Sequence, residues 1–161
     1  MPRILIVEDE LALRRVITLN LVRRAYTVVE ADSVVTADEA CAASEESFDV
    51  ILLDINLPDQ TGWDVLRHLQ DCGSSAATGS NTMNAPGNPS KSMPHVIVMT
   101  AVPPQQSRLD EFHPAAVLLK PFPITALLQL IERVLKHMPT EQSSDDDDRL
   151  GGSSGHDGAG A

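Results

Sequence analysis

Asp54 closes an apolar run, Val50-Ile51-Leu52-Leu53-Asp54, where a charge is expensive. Such a run, bounded by polar residues, reads as a buried parallel strand. A carboxylate at its end needs water, a metal or a partner charge. Other apolar runs end in similar ways. Ile4-Leu5-Ile6-Val7 leads into Glu8-Asp9-Glu10, Val96-Ile97-Val98-Met99 into Thr100, and Val117-Leu118-Leu119 into Lys120-Pro121. In an open parallel sheet, ligands bind just beyond the carboxyl ends of the strands. The chain is therefore expected to gather acids, a hydroxyl and an amine at one sheet edge. Clustered carboxylates are the donor set of Mg²⁺, which takes oxygen ligands and keeps room for water and phosphate. With a metal and an ammonium offsetting phosphoryl charge, a carboxylate can attack phosphorus and form an acyl phosphate.

The elements that must hold these groups alternate along the chain. Strands are predicted at Ile4–Val7, Thr27–Glu30, Val50–Asp54, Val96–Thr100 and Ala116–Leu119. Helix one follows the first strand with Leu13, Ile17 and Leu21 on one face. Ser33 is a candidate cap for helix two, whose apolar face is small: Ala37, Ala40 and Cys41. After Asp54, the segment Ile55-Asn56-Leu57-Pro58-Asp59-Gln60-Thr61-Gly62 reads as a loop. Helix three carries Trp63, Leu66 and Leu69 and is expected to stop near Gly73. A short helix four is predicted from Pro104 to Phe112, and helix five faces the sheet with Leu127, Leu128, Ile131, Val134 and Leu135. Five strand–helix alternations predict a three-layer α/β sandwich with right-handed crossovers.

Two segments break the rhythm. Residues 71–94, rich in Ser, Gly, Asn and Pro, are predicted to form a flexible inserted loop, and 139–161 a disordered acidic Gly/Ser tail. The 161 residues suit one domain, and 3% aromatics implies an aliphatic core. The formal charge is −11, which argues against direct nucleic-acid binding. Cys41 and Cys72 show no metal or redox spacing, so a reducing compartment is expected. With no membrane-span-length apolar stretch and no signal-peptide pattern at Met1-Pro2-Arg3, the expectation is a cytoplasmic protein without membrane insertion. Neither the five histidines nor any Ser or Cys forms a recognisable catalytic or metal motif.

Taken together, Val7-Glu8-Asp9-Glu10, Leu52-Leu53-Asp54-Ile55-Asn56-Leu57-Pro58, Val98-Met99-Thr100-Ala101 and Leu119-Lys120-Pro121-Phe122 resemble the signatures of the response-regulator receiver domain. This is the phosphoacceptor module of bacterial two-component signalling. Singly, each segment has an ordinary reading: acids before a helix, a strand-end threonine, a snorkelling lysine. In order, each at a predicted strand end, they make a specific match over roughly residues 1–138 outside the 71–94 loop.

The resemblance implies a CheY-like, flavodoxin-like doubly wound (βα)5 fold with sheet order 2-1-3-4-5. It implies that Asp54 is phosphorylated, and that Glu8, Asp9, Asp54 and the backbone carbonyl of Asn56 hold Mg²⁺. Thr100 would hydrogen-bond a phosphoryl oxygen and Lys120 would pair with the phosphoryl group. Switching would involve Thr100, Ala101 and position 117, beside a cis bond before Pro121. The donor would be a sensor histidine kinase or a histidine phosphotransfer protein. Output would be a contact with an unspecified downstream protein or onward phosphorelay. Such a protein is a phosphoacceptor that assists its own phosphorylation and dephosphorylation, not a turnover enzyme. The sequence, ending in a tail after helix five, leads to the expectation of a stand-alone regulator.

Two departures matter. Many receivers carry an aromatic three residues before the strand-five lysine, where this chain has Val117, which has no ring to rotate inward. The region of helix four is short and contains Pro103-Pro104, which implies an altered output face. Two rival readings use the same residues: a haloacid-dehalogenase-like phosphohydrolase, which usually needs an Asp where this chain has Asn56, and a receiver-fold interaction module that is never phosphorylated.

Overall fold

The computed structural model describes residues 1–74 and 93–136, except the side chains of 71–74. The elements run β1 (Arg3–Val7), α1 (Leu11–Val22), β2 (Thr27–Ala31), α2 (Val34–Ala43), β3 (Val50–Asp54), α3 (Gly62–Ser74), β4 (His95–Thr100), α4 (Gln106–Phe112), β5 (Ala116–Leu119) and α5 (Ile124–Lys136). All strand pairs are parallel, in the order β2-β1-β3-β4-β5. This is the flavodoxin-like (βα)5 fold expected from the sequence.

The strands alternate their side chains between two apolar layers, as the period of two demands. Leu5, Val7, Ile51, Leu53 and Val98 face a core completed by Val34, Val65, Trp63 and Phe112. Ile4, Ile6, Val50, Leu52, Ile97 and Met99 face the other, completed by Ile17, Leu21, Leu127 and Ile131. The central strand β3 is buried throughout, whereas edge strands β2 and β5 are largely half-buried or exposed. That gradient explains why β3 is the most apolar run and why β2 tolerates Thr27 and Glu30.

Local chemistry accounts for most boundaries. Ser33 caps α2 by accepting the Thr36 N–H, and Thr36 returns the bond to the Ser33 N–H, a capping box. Val34 joins Ala37 in the buried face of α2, while Ala40 and Cys41 are half-buried against it. Helix α3 runs to Ser74, so the predicted loop start at 71 is corrected. Extending a formed helix through Gly73 costs about 1 kcal/mol, whereas nucleating one there would cost far more. Helix α4 begins at Gln106 instead of Pro104, because consecutive prolines hold the chain extended and Gln105 itself is extended, with φ −65° and ψ 144°. Residues 75–92 and 139–161, the rest of the predicted loop and the tail, lie outside the described residues.

Candidate functional site

Parallel pairing sends the carboxyl ends of all strands to one edge. Val7 pairs with Leu53, so the next residues, Glu8 and Asp54, emerge side by side. Thr100 pairs with Leu119, which places Lys120 immediately beyond it, its N–H donating to the Thr100 carbonyl at 2.8 Å. Four separate sequence segments thus converge because of the strand order alone.

The Lys120 ammonium sits between two buried carboxylates. It donates to Glu8 Oε1 at 3.0 Å, Glu8 Oε2 at 2.8 Å and Asp54 Oδ2 at 2.6 Å. The other oxygen of Asp54 accepts the Asn56 N–H at 2.8 Å. Asp9 is exposed beside them, and Glu8, Asp9 and Asp54 each present an oxygen within 4.8 Å of the others. Three carboxylates face one ammonium, a shortfall of positive charge that fits a divalent cation with hard oxygen ligands.

Burial is the main reason the Glu8 carboxyl is pushed above its usual value. Hydrogen bonding and charge attraction from Lys120 oppose the shift, and repulsion from Asp54 adds to it. Burial alone would lower the Lys120 pKa, but its bonds to Asp54 and Glu8 outweigh that and raise it. Lys120 therefore stays charged, and the site holds a cation while keeping excess negative charge.

The loop after β3 is closed on itself. Asn56 and Thr61 form an antiparallel bridge, and the Gly62 N–H donates to the Ile55 carbonyl at 2.9 Å. Thr61 then starts α3, its hydroxyl and N–H both donating to Asp64 Oδ2 at 2.8 and 3.2 Å. Gly62 is needed for close approach: a Cβ there would lie 2.2 Å from the Asp54 carbonyl oxygen and 2.9 Å from the Ile55 Cα. The sequence had marked Gly62 only as a turn residue.

Arg14, which the sequence analysis assigned no role, also reaches the site. Its guanidinium donates to the Glu8 carbonyl at 2.5 Å and to the Asp9 carbonyl at 3.5 Å, and pairs with Glu30 at 3.3 Å. The available signal was its place near the start of α1, where a cation opposes the helix dipole.

The remaining predicted residues surround this cluster. Thr100 is buried, but its hydroxyl donates to the Val102 carbonyl at 3.0 Å and accepts the Val102 N–H at 3.3 Å, so it is engaged by the turn after β4. Ala101 is exposed. The Lys120–Pro121 bond is cis, as expected, and Pro121 is exposed. Val117 is half-buried, packed against the core that contains Val98 and Phe112. Trp63 is core, stacked on Phe112 with centroids 5.3 Å apart. His68, on α3, pairs with Asp38 on α2 at 2.7 Å and lies outside the cluster.

Fold and site together define a doubly wound α/β domain with an acid-and-lysine pocket at the carboxyl edge of its sheet. The chain belongs to the response regulator receiver domain family, whose model matches residues 4–132. Among curated proteins it is 29% identical over 136 residues to the probable transcriptional regulatory protein SilR of Salmonella typhimurium, covering 83% of this chain and 51% of SilR. It is 30% identical over 148 residues to the response regulator ArlR of Staphylococcus epidermidis, covering 90% of this chain and 58% of ArlR. The chain thus spans about half the length of these relatives. Among solved structures, the non-phosphorylated HemR receiver domain from Leptospira biflexa aligns with TM-score 0.65 and 27% identity, over 84% of this chain and 94% of that one. The chemotaxis protein CheY4 of Vibrio cholerae aligns with TM-score 0.65 and 21% identity, over 83% and 98%, which supports the fold.

Members of this family are signalling phosphoacceptors of two-component systems, served in general by sensor kinases or phosphotransfer proteins. Among the described residues, no helix is long and apolar enough to cross a membrane.

Proposed function

We propose that this chain is a Mg²⁺-dependent phosphoryl acceptor that takes the group from a phosphohistidine onto Asp54. The observation that carries the reading is the convergence of Lys120 on Asp54 at 2.6 Å, with Glu8 and Asp9 beside it. Glu8, Asp9, Asp54 and the Asn56 carbonyl would hold the metal, which when bound neutralises phosphoryl charge and orients the group. An Asp54 carboxylate oxygen attacks phosphorus in line. The new O–P bond forms as the P–N bond breaks, and the histidine leaves as imidazole after taking up a proton.

Lys120 performs the part that a fixed cation can. In the unphosphorylated protein it offsets part of the Glu8 and Asp54 charge, and on transfer it follows the charge onto the phosphoryl oxygens. Lys120 also lines a shallow groove with Glu10, Leu13, Val16, Ala101 and Phe122. Val16 belongs to this groove, and α1 also exposes the apolar residues Leu11, Leu19 and Val22. This supports approach of the donor protein across α1.

Output begins at Thr100. Its hydroxyl bonds the Val102 backbone, and turning inward to a phosphoryl oxygen releases that turn. With valine at 117, the coupled rotation of an aromatic is replaced by movement of the 101–105 segment leading into α4. A downstream protein that reads this segment would sense a shift between two states. The bonds to Val102 support this output over one based on residue 117.

Intact mass after incubation with acetyl phosphate and Mg²⁺ tests the acceptor reading. One phosphoryl adduct, dependent on Mg²⁺ and absent in Asp54→Asn, is expected. If acetyl phosphate, a phosphohistidine donor and beryllofluoride all fail to react or bind, the chain is instead the non-phosphorylated interaction module.

A further inference from the structure

Asp59 lies in the loop between β3 and α3 and caps a different helix. Its Oδ1 accepts the Val34 N–H and its Oδ2 the Val35 N–H, each at 3.1 Å. Both amides belong to the first turn of α2, where backbone donors have no intrahelical partner. Ser33 already serves α2 locally through the Thr36 N–H, so the helix carries its own cap besides this one. Ser33 satisfies one of the free N–H groups of this turn, and Asp59, 25 and 24 residues away in sequence, satisfies two more and so ties another loop to it.

The other end of the same short segment reaches the phosphoryl site. Asn56, three residues before Asp59, donates its N–H to Asp54 Oδ1 at 2.8 Å. Asn56 is also bridged to Thr61, which closes a small loop with Asp59 near its tip. The foot of that loop is pinned by Gly62 to Ile55 at 2.9 Å, while the tip is pinned only by α2 among the described hydrogen bonds. Desolvation alone would raise the Asp59 pKa, but the N–H groups of Val34, Val35, Asp59 and Gln60 outweigh it and hold the carboxyl below its usual value. The clamp is therefore ionised and set across the neutral range.

We propose that Asp59 is a positioning residue for the phosphoryl site: it clamps the β3–α3 loop to the start of α2 and so fixes Asn56, whose N–H orients Asp54 and whose carbonyl is offered to Mg²⁺. The inference rests on the metal site proposed above. It predicts that the first turn of α2 and the affinity for Mg²⁺ are coupled through one carboxylate. Partners that orient metal ligands indirectly commonly set affinity by about tenfold or more.

The test compares Asp59→Ala with Ser33→Ala in the full chain, by titrating Mg²⁺ into isotopically labelled protein and following backbone amide shifts. Both variants weaken the capping of α2, but only the first releases the loop. Asp59→Ala is expected to raise the Mg²⁺ dissociation constant by about tenfold, with Asp59→Asn between it and wild type, while Ser33→Ala stays within about twofold of wild type. Equal affinity in wild type and Asp59→Ala overturns the inference, as does an equal loss in Ser33→Ala. If wild type itself binds no Mg²⁺, the reading of the site fails, and amide exchange then judges the clamp. Loss of Asn56 protection in Asp59→Ala but not in Ser33→Ala supports it, and unchanged protection overturns it.

Discussion

Strand β3 is bracketed by two aspartates, and the molecule treats them differently. Asp49, just before the strand, accepts the Arg3 N–H at 2.6 Å, donates its own N–H to the Arg3 carbonyl at 2.9 Å and offers its carbonyl to His95 at 2.9 Å. Arg3 is itself held by Ser44 and the Glu46 carbonyl and lies over the Phe48 ring. At this edge, the Asp49 carboxylate is met by a backbone group, and the Arg3 guanidinium by Ser44 and Glu46. Asp54, at the other end, meets a lysine shared with Glu8, one backbone N–H and an exposed second acid. Apart from that N–H, its neighbours are side chains that can move, in a cluster with surplus like charge. An acid fixed by backbone donors is structural, whereas one held by a shared cation among other acids is poised to exchange partners.

The largest effect expected from this contrast is a crossed pair of outcomes. Asp54→Asn removes phosphoryl uptake altogether yet leaves the fold no less stable than wild type, because it relieves repulsion with Glu8. Asp49→Ala leaves uptake intact but costs about 1–2 kcal/mol, since the Arg3 N–H loses its acceptor. Intact mass and urea unfolding on both variants check this. Loss of uptake in Asp49→Ala, or marked destabilisation in Asp54→Asn, would break the division between the two ends.

Gly62→Ala sharpens the functional end. The added Cβ meets backbone atoms of Asp54 and Ile55, which have no rotamer to yield. A loss of about 2 kcal/mol in unfolding free energy is expected, together with slower uptake at fixed acetyl phosphate. A stable variant with wild-type uptake would mean that the loop opens without moving Asp54.

The two classes of acid also give opposite pH slopes. An unfolded glutamate titrates near 4.5, and burial raises Glu8 above that. Between those values the native state binds more protons than the unfolded one, so stability falls as pH rises through the window. Asp59 is held below 3.8, so its contribution is present above that value and is lost as pH falls through its native pKa. Urea unfolding from about pH 3 to 6 should show Glu8→Gln flattening the upper limb alone and Asp59→Asn the lower limb alone.

How far the sequence showed this arrangement depended on whether the signal was local. Asp54, Glu8, Thr100 and Lys120 stood out because apolar runs ended in polar residues, and parallel topology then forced them together. The five strands were legible for the same reason, and Ser33 announced α2 through its own side chain. The roles of Arg14, Asp59 and the Gly62 close approach were not legible. Each depends on a neighbour brought in by the fold: the Glu8 carbonyl, the α2 amides, the Asp54 carbonyl. The late start of α4 was a local effect, but Pro104 fits both an extended segment and a helix start. The engagement of Thr100 by Val102 is a choice of rotamer, which residue type does not encode.

Backbone strain completes the comparison and yields the smallest effect. Strain in sparsely populated backbone regions tends to collect at functional sites. Here the non-glycine residues with positive φ among those described, Ala25 at 62° and His113 at 46°, both lie where a helix turns back to the amino end of a strand, away from the acids. At Ala25 the end of α1 is closed by Tyr26 donating to the Leu21 carbonyl at 3.2 Å and Ala25 to the Val22 carbonyl at 3.0 Å. That double bond pattern puts its left-handed position at residue 25, where glycine is the usual occupant. The Cβ of Ala25 costs about 1 kcal/mol there, and glycine removes it at a smaller cost in unfolded-chain entropy. Ala25→Gly is therefore expected to stabilise the fold by about 0.5–1 kcal/mol, a rise in melting temperature of about 2–5 °C, with uptake unchanged. A stabilised variant with slower uptake would show that strain at the far edge is coupled to the site. Unchanged uptake would mean that the cost held at the acid edge is electrostatic and that the two ends of the sheet answer to separate constraints.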